Sequence, residues 1–352
     1  MIFYRYFILI IGFFILNINS VFPQVKSLSY WENRFLKSWD KEYKKALPMS
    51  LSGDSWQLYN IAYYIDANTV MYDVTGKTKY LDRALLYINN IINTSNFSTS
   101  FKNSQFRDGF KGWVNYTAPS YRNDQKEYPL FESYCWRYVT GLLVVMKKNG
   151  DDESIVYSSQ YKKVLDFTLN NIYNKWESRG KKNLYRSNTH MMSHWVKISM
   201  DLYHITHDYK YMQIIVDFVQ KFKAILEYYN GANGKSYIKW KSAWNYSGRY
   251  QDVAHGNAVV GLLVELYENN LGISYSDILN LINLFNKIIW KNENTFAKYI
   301  DGTGSGVGWF TDGFIKLGRF DVALQKRIER HNKGRTTQFF ANGALNAKRL
   351  LK

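Results

Sequence analysis

The sequence predicts an all-α protein in which antiparallel helix pairs close into an (α/α) toroid. Only four prolines occur among 352 residues, and continuous β-type alternation of apolar and polar residues is hard to find. Apolar residues instead recur at i, i+3 and i+4, which is the spacing of one helix face. A unit of two helices joined by a polar turn also repeats. Such units bury a shared core by stacking side by side, so we expect a ring.

Helical spacing recurs in eight stretches separated by polar residues. These stretches are residues 56–72, 80–92, 131–146, 161–172, 195–203, 211–225, 258–267 and 278–289. A short hairpin around residues 231–244 is the one β element that the sequence predicts.

The turn between two helices repeats along the chain. Residues 72–81 read YDVTGKTKYL and residues 203–212 read YHITHDYKYM, while residues 267–278 form a looser copy. No linker rich in Pro, Gly or Ser interrupts the series, so residues 24–352 are predicted to form a single toroid domain. The inner helices of such a ring line a cleft, and loops at one end carry the chemistry.

Residues 1–23 have the features of a secretory signal peptide: a short basic start, an apolar run and then small or turn-forming residues. The run of about ten to twelve apolar residues is too short to span a bilayer comfortably. We therefore expect a periplasmic or secreted protein that leaves the membrane after cleavage. We also expect it to be a monomer. The single cysteine, Cys135, lies in an apolar run and is expected to be a buried structural thiol.

Charge and aromatic content favour a carbohydrate partner. The chain has 46 Lys and Arg against 29 Asp and Glu, a formal charge of +17, and 18% of its residues are aromatic. A basic exported protein meets few nucleic acids, whereas an anionic polysaccharide would be attracted to its surface. Aromatic side chains also stack on sugar rings. The alternative is that the lysines only solvate the surface.

Three polar segments between helices are candidate sites: residues 186–194, 244–260 and 301–313. In the first, RSNTHMMSH, His190 and His194 stand at i, i+4, as two zinc ligands would. A zinc protease would have Glu after the first His, but Met191 follows here. A third ligand would have to be His255 or Asp252, so we expect no metal. The glycines of the third segment precede no Lys-Ser/Thr pair, so we expect no phosphate-binding loop and no cofactor.

Proton transfer fits the first two segments better. β-Elimination of a uronate polymer needs a group that neutralises the carboxylate, a base at C5 and an acid at O4. Asn188, His190, Arg249 and a tyrosine, either Tyr246 or Tyr250, supply this set.

The pattern resembles the metal-independent (α/α)-barrel alginate and glucuronan lyases. The resemblance implies that Asn188 and Arg249 bind the uronate carboxylate, and that His190 is a base or neutralises the carboxylate. Tyr246 or Tyr250 would then be the acid and often also the base.

The segment QDVAHGNAVVG adds His255 and Asn257, which resemble active-site residues of related toroids. Basic and aromatic side chains near the cleft are expected to bind the substrate. The candidates are Arg186, Arg137, Trp136, Trp244 and Asn257.

The sequence thus predicts an exported polysaccharide lyase that cleaves an alginate- or glucuronan-type polymer by β-elimination. One alternative is a toroidal glycoside hydrolase acting on uronate oligosaccharides, which needs two opposed carboxylates. Asp252 with Glu132 or Asp312 would be that pair. Another alternative is a carbohydrate-binding protein without catalysis. Asn188 and Asp252 can also be helix caps, and His194 an ordinary packing residue.

Overall fold

The computed structural model describes residues 24–119, 123–231, 235–244, 248–331 and 336–351. The predicted signal peptide and the candidate residue Tyr246 lie outside these ranges. None of the helices within the ranges is both long and apolar enough to cross a membrane.

Helices form most of the described chain. In chain order they are α1 (Leu28–Ser50), α2 (Ser55–Thr75), α3 (Thr78–Asn93), α4 (Pro129–Asn149), α5 (Ser158–Phe167), α6 (Lys175–Ser178), α7 (Thr189–Thr206), α8 (Met212–Ile225), α9 (Val253–Glu268), α10 (Tyr275–Asn283), α11 (Val322–Arg330) and α12 (Thr337–Leu350). A 3-10 helix, Phe314–Phe320, precedes α11. Wider π-helical turns, Thr168–Asn174 and Leu284–Ile289, continue α5 and α10.

The inner ring of the described chain has six elements: α2, α4, α7, α9, the 3-10 helix and α12. Each contacts the next in this order, and α12 returns to contact α2. An outer helix packs on each inner element: α3, α5, α8, α10, α11 and α1, in the same order. The predicted all-α toroid is confirmed.

The first and last helices close the ring. Trp31 of α1 packs so tightly on α12 that a Cβ atom at Gly343 would lie 2.5 Å from its ring. Only glycine permits this approach, so the contact between α1 and α12 requires a residue without a Cβ atom at position 343.

In the part of the chain that the structure describes, the strands form three short sheets. β1 (Asn96–Phe97) pairs with β2 (Lys111–Gly112), and β5 (Trp290–Asn292), β6 (Thr295–Ala297) and β7 (Ser305–Gly306) form a second sheet. The hairpin expected around residues 231–244 is present. Its strands, β3 (Glu227–Asn230) and β4 (Ser236–Lys239), begin and end earlier than predicted.

The repeated turns share one backbone feature. Gly76 ends α2 with φ 68°, His207 ends α7 with φ 58°, and Asn270 follows α9 with φ 58°. A residue with left-handed backbone dihedrals ends the helix, because the chain turns there and backbone N–H groups donate to the last helical carbonyl groups. The three sequence copies are therefore three copies of the same helix ending.

Burial differs between the inner and outer helices. α3 buries one face, including Tyr80, Leu81 and Ile88, whereas most of α2 from Ile61 onwards is buried. An outer helix shows an apolar stripe, while an inner helix contacts neighbours all round. Cys135 on α4 is fully buried, and burial raises the pKa of its thiol, as a structural cysteine requires.

Candidate functional site

A cleft of about 290 Å3 lies at the end of the ring where the inner helices begin. The N-terminal halves of α2, α4, α7 and α9 line it, together with Trp309 and Asp312. The C-terminal halves of the same helices line a second cavity, of about 360 Å3, at the opposite end. These helices run in one direction, so the positive ends of their dipoles converge on the cleft.

Aromatic rings form one wall of the cleft. Trp56 and Tyr59 stack with ring centroids 5.4 Å apart, and Tyr59 stacks on Tyr134 at 3.9 Å. Tyr63 meets Trp309 edge to face at 5.9 Å. We call these five residues the aromatic wall. Sequence reasoning missed it, although Trp56, Tyr59 and Tyr63 have the i, i+3, i+7 spacing that places side chains on one helix face.

Three histidines lie on the polar side. His190 and His194 come from α7, and the His190 and His255 ring centroids are 4.4 Å apart. Burial and the neighbouring His255 lower the pKa of His190 to about 3. Burial and Arg137 lower the pKa of His194 well below that of an ordinary histidine, and neither ring nitrogen of His194 has a hydrogen-bond partner among the described residues. His194, expected to be an ordinary packing residue, therefore lies in the cleft lining as a neutral ring.

His255 is held by Asp252. Asp252 caps α9 by accepting the backbone N–H of His255 at 3.0 Å, which confirms the capping alternative. Its carboxylate also lies 2.8 Å from the Nδ1 atom of His255. Burial alone would raise the pKa of Asp252, but the hydrogen bonds from His255 outweigh it and lower the pKa to about 2. An ionised Asp252 fixes the proton on Nδ1 and leaves Nε2 for a ligand.

Arg137 and Asp312 separate the cleft from the second cavity, because both line both spaces. Their ion pair is 2.9 Å long and buried, and the Tyr138 hydroxyl donates to the same carboxylate. The Arg137 guanidinium also packs over the Tyr134 ring at 4.6 Å. The predicted cleft arginine is therefore present, but its charge is compensated by Asp312.

Asn257 fastens the segment that carries Trp309 and Asp312. Its side-chain oxygen accepts the backbone N–H groups of Gly313 and Phe314, both at 3.2 Å. Its amide nitrogen donates to the carbonyl of Trp309 at 2.8 Å. These bonds occupy the polar atoms predicted to bind substrate, so Asn257 is a positioning residue in this structure.

Three of the residues required for elimination lie outside the cleft lining. Arg249 is exposed, and its carbonyl accepts the amide of Ser242. The Tyr250 hydroxyl donates to Glu227 at 2.6 Å. Asn188 occupies the N-cap position of α7 without making a capping bond. The structure brings His190 and His255 together and leaves the other three at the rim or beyond it.

Two further candidates, Trp244 and Arg186, lie outside the cleft lining. The Trp244 indole donates to the carbonyl of Arg186 at 2.7 Å and packs edge to face on Phe218. Arg186 lines a small pocket with Met191, beside the main cleft. Neither side chain lines the main cleft. Arg186 belongs to the segment that leads into α7, and Trp244 lies beside that segment.

Burial decides two other candidates. Trp136 is fully buried and donates to Thr168, so it cannot contact a substrate. Glu132 is also fully buried, 2.7 Å from Lys175, and accepts a hydrogen bond from Trp176. Of the two partners considered for Asp252, the described cleft therefore contains Asp312 and not Glu132.

The zinc alternative finds no ligand set. In the ranges that the structure describes, no group of three or more His, Cys, Asp or Glu side chains is arranged to hold a metal ion. The His190 and His194 rings, proposed as the first two ligands, have centroids 6.3 Å apart and are tilted by 71°.

The chain was compared with family models, curated proteins and solved structures, and a solved structure is similar to it. No family model matches the chain, and no curated protein matches it. Among solved structures, an inactive variant of the α-1,6-mannanase GH76A of Salegentibacter sp. HEL1_6, in complex with α-1,6-mannotetrose, is similar in fold. The TM-score is 0.46 at 11% identity, over 89% of this chain and 98% of that chain.

The predictions of a polysaccharide lyase, and of alginate or glucuronan as its substrate, are wrong. The matched structure is that of a mannanase, which is a hydrolase. The site gives the physical reason. Elimination needs Asn, Arg and Tyr around one uronate, but Asn188, Arg249 and Tyr250 do not line the cleft that holds His190.

Proposed function

We propose that the protein is a glycoside hydrolase that cleaves a saccharide bound in the cleft. The observation that carries this proposal is the division of one cleft into an aromatic wall and a polar side with His255 and Asp312. Flat aromatic faces suit the C–H faces of a sugar ring. An oriented imidazole and a carboxylate supply the proton transfer and the negative charge that glycoside cleavage requires.

His255 is the proposed acid and base. Its protonated Nε2 donates a proton to the glycosidic oxygen as the bond from that oxygen to the anomeric carbon breaks. The neutral Nε2 then accepts a proton from the water that attacks the anomeric carbon. One water is added across the bond, and His255 returns to its starting state. Asp252, at Nδ1, stabilises the positive ring and fixes its orientation.

Asp312 is the proposed carboxylate that stabilises positive charge at the anomeric carbon. Arg137 and the Tyr138 hydroxyl both donate hydrogen bonds to it, which fixes the direction of the carboxylate. Most glycoside hydrolases pair two carboxyl groups. Here an imidazole backed by Asp252 replaces the acidic partner.

We also propose a location for the protein and a charge for its substrate. The predicted signal peptide supports a periplasmic or extracellular location, where polysaccharides are available. The net charge of +17 supports an anionic polysaccharide. Within the described cleft lining, however, Arg137 is the one guanidinium, and Asp312 compensates it. Recognition of an anionic chain must then use cations outside this lining.

The test is a screen of neutral and acidic oligosaccharides for new reducing ends. Hydrolysis creates reducing ends without the ultraviolet absorbance of an unsaturated product. His255→Ala should lower turnover by roughly two to four powers of ten, the usual contribution of a positioned acid or base. Asp312→Asn should also abolish most turnover.

His204→Ala is the matched control, because His204 lies in the second cavity rather than in the cleft. It should keep the parent rate. Binding of saccharides without any new reducing ends would overturn the proposal in favour of a binding protein. Full activity of His255→Ala would overturn the assignment of the acid.

A further inference from the structure

We propose that one face of the β3–β4 hairpin binds an anionic saccharide chain and leads it to the cleft. We call this surface the hairpin face. It is formed by the side chains of Glu227, Tyr229, Tyr237, Lys239, Lys241 and Tyr250. The proposal rests on the proposed function, since it assigns the acidic part of the same substrate to a site outside the cleft.

Strand alternation places these side chains together. Ile238 and Trp240 are fully buried, so the alternating residues Tyr237, Lys239 and Lys241 lie on the other, accessible side. Register gives the rest of the face: Tyr229 pairs with Tyr237 across the hairpin. The two rings stack with centroids 5.6 Å apart.

The register continues to a third segment and to Glu227. Lys241 pairs with Tyr250 in an antiparallel bridge, and Glu227 pairs with Lys239. Paired residues project to the same side of a sheet. The hairpin face is therefore a two-dimensional array, three segments wide, rather than a row of unrelated surface residues.

The ammonium groups are held in place by the tyrosines. Lys239 Nζ lies 3.7 Å from the Tyr229 ring centroid, and Lys241 Nζ lies 3.5 Å from that of Tyr250. Contact with an aromatic face fixes a flexible lysine at little cost, because the ring attracts the cation. Positioned cations lose less freedom when an anion binds.

Glu227 compensates only part of this charge. It accepts the hydroxyl groups of Tyr229 and Tyr250, both at 2.6 Å, and lies 3.5 Å from Lys241. Two lysines therefore face one carboxylate, and that carboxylate already serves two hydroxyl donors. The face keeps a net positive charge, in contrast to the compensated Arg137 of the cleft.

The hairpin face continues into the cleft. Tyr250 and Asp252 are two residues apart in extended chain, so they project to the same side. Asp252 holds His255, which lines the cleft. On the other flank, Asn188, the residue before α7, bridges to Ala243 just after Lys241. The array thus borders the starts of the two helices that carry His190 and His255.

The occupant follows from charge complementarity and position. Spaced, fixed ammonium groups beside a carbohydrate cleft suit a saccharide that carries carboxylate or sulfate groups at intervals. A carboxylated saccharide and a sulfated saccharide both carry an anionic group on a sugar ring. The neutral ring to be cleaved would lie on the aromatic wall, and the charged rings of the same chain would extend along the hairpin face.

The test measures binding of three polymers to the full-length protein: a polyuronate, a sulfated polysaccharide and a neutral glucan or mannan. Turnover is not part of the measurement. The double variant Lys239→Ala/Lys241→Ala should bind the acidic polymer about tenfold more weakly, since it loses two charge contacts. Its binding should also depend less on salt. Lys239→Arg/Lys241→Arg, which keeps both charges, should restore most of the affinity.

Lys79→Ala is the matched control. Lys79 is exposed and lies over the Tyr80 ring at 4.9 Å, but on α3 in the outer ring. Unchanged binding of both acidic polymers by the double variant, or an equal loss for Lys79→Ala, would overturn the proposal. A selective loss supports it, and the polymer affected identifies carboxylate or sulfate. Because binding is measured alone, the hairpin face can be confirmed even if no glycosidic bond is cleaved.

Discussion

The backbone of Gly313 lies against the backbone of Asn257 so closely that a Cβ atom on Gly313 would stand 2.0 Å from the Asn257 carbonyl oxygen. The Asn257 side chain also accepts the Gly313 amide. This contact joins α9, which carries His255, to the segment that carries Trp309 and Asp312. Both sides of the cleft therefore depend on one point of backbone contact.

Gly313→Ala should separate the two segments, because backbone cannot yield as a flexible side chain can. We expect a loss of about 2–3 kcal/mol of folding free energy, toward the upper end for an overpacked site. The turnover rate should also fall under conditions where the variant is folded, since Asp312 moves with its neighbour Gly313. Thermal unfolding and initial rates check the prediction. Gly109→Ala is the control, because nothing lies within 4 Å of a Cβ atom there. Equal effects of the two variants would contradict the role of the contact.

Part of this architecture could be predicted from sequence. Periodicity found α3 and α8, because an outer helix buries one stripe. It missed α12, whose inner face carries Gln338, Asn342 and Asn346, all buried. These amides bond to Asp66, Thr311 and Ile315 inside the ring, so they interrupt the apolar spacing that marks a helix.

Candidate residues named from the sequence share the cleft mainly where helices position them. His190 and His255 begin α7 and α9, and the toroid prediction already placed both helix starts at one end. Arg249 and Tyr250 precede α9 in an extended segment, where the direction of each side chain depends on pairing with Lys241. That pairing is long-range and leaves no periodic signal in the sequence. Proximity in sequence to His255 therefore did not imply proximity in space.

Stability should fall as the pH decreases from 7 to 4. The pKa of His190 is about 3 in the folded chain, against 6.5 for an ordinary histidine. Between these values the unfolded chain binds the proton and the folded chain does not, so lowering the pH favours unfolding. The stabilisation is fully present above about pH 6.5 and is lost as pH falls toward 3.

We expect His190 to account for on the order of 2–3 kcal/mol of this loss. The measurement is the free energy of unfolding in urea at several pH values. His190→Asn should reduce the slope of the dependence above pH 4.5, where Asp252, with a pKa of about 2, does not yet contribute. Part of the slope should remain, because burial also lowers the pKa of His194. A His190→Asn variant with the same pH slope as the parent would contradict the assignment.

The aromatic wall should contribute mainly to substrate binding. Trp56→Ala removes a large ring that stacks on Tyr59, whereas His255 and Asp312, the groups proposed for the chemistry, are not part of the aromatic wall. We expect KM to rise roughly tenfold with a smaller change in kcat, since uniform binding affects ground and transition states alike. Tyr209→Ala, at an exposed tyrosine outside the cleft, should leave both constants unchanged. A fall in kcat with constant KM would place Trp56 in the chemical step instead.

The ion pair between Arg137 and Asp312 should show non-additive energetics. Asp312→Asn leaves the Arg137 guanidinium buried beside Tyr134 and Tyr138 without a carboxylate, and should cost about 3–5 kcal/mol of folding free energy. Arg137→Met leaves the carboxylate with only the Tyr138 hydroxyl and should cost a similar amount. In the double variant no charge is stranded, so its loss should be well below the sum of the two single losses. Urea unfolding of the parent and three variants measures this coupling, and additive losses would show that the two charges are stabilised independently. All three variants should be nearly inactive even at temperatures where they are folded, because each disturbs the carboxylate proposed to stabilise positive charge at the anomeric carbon.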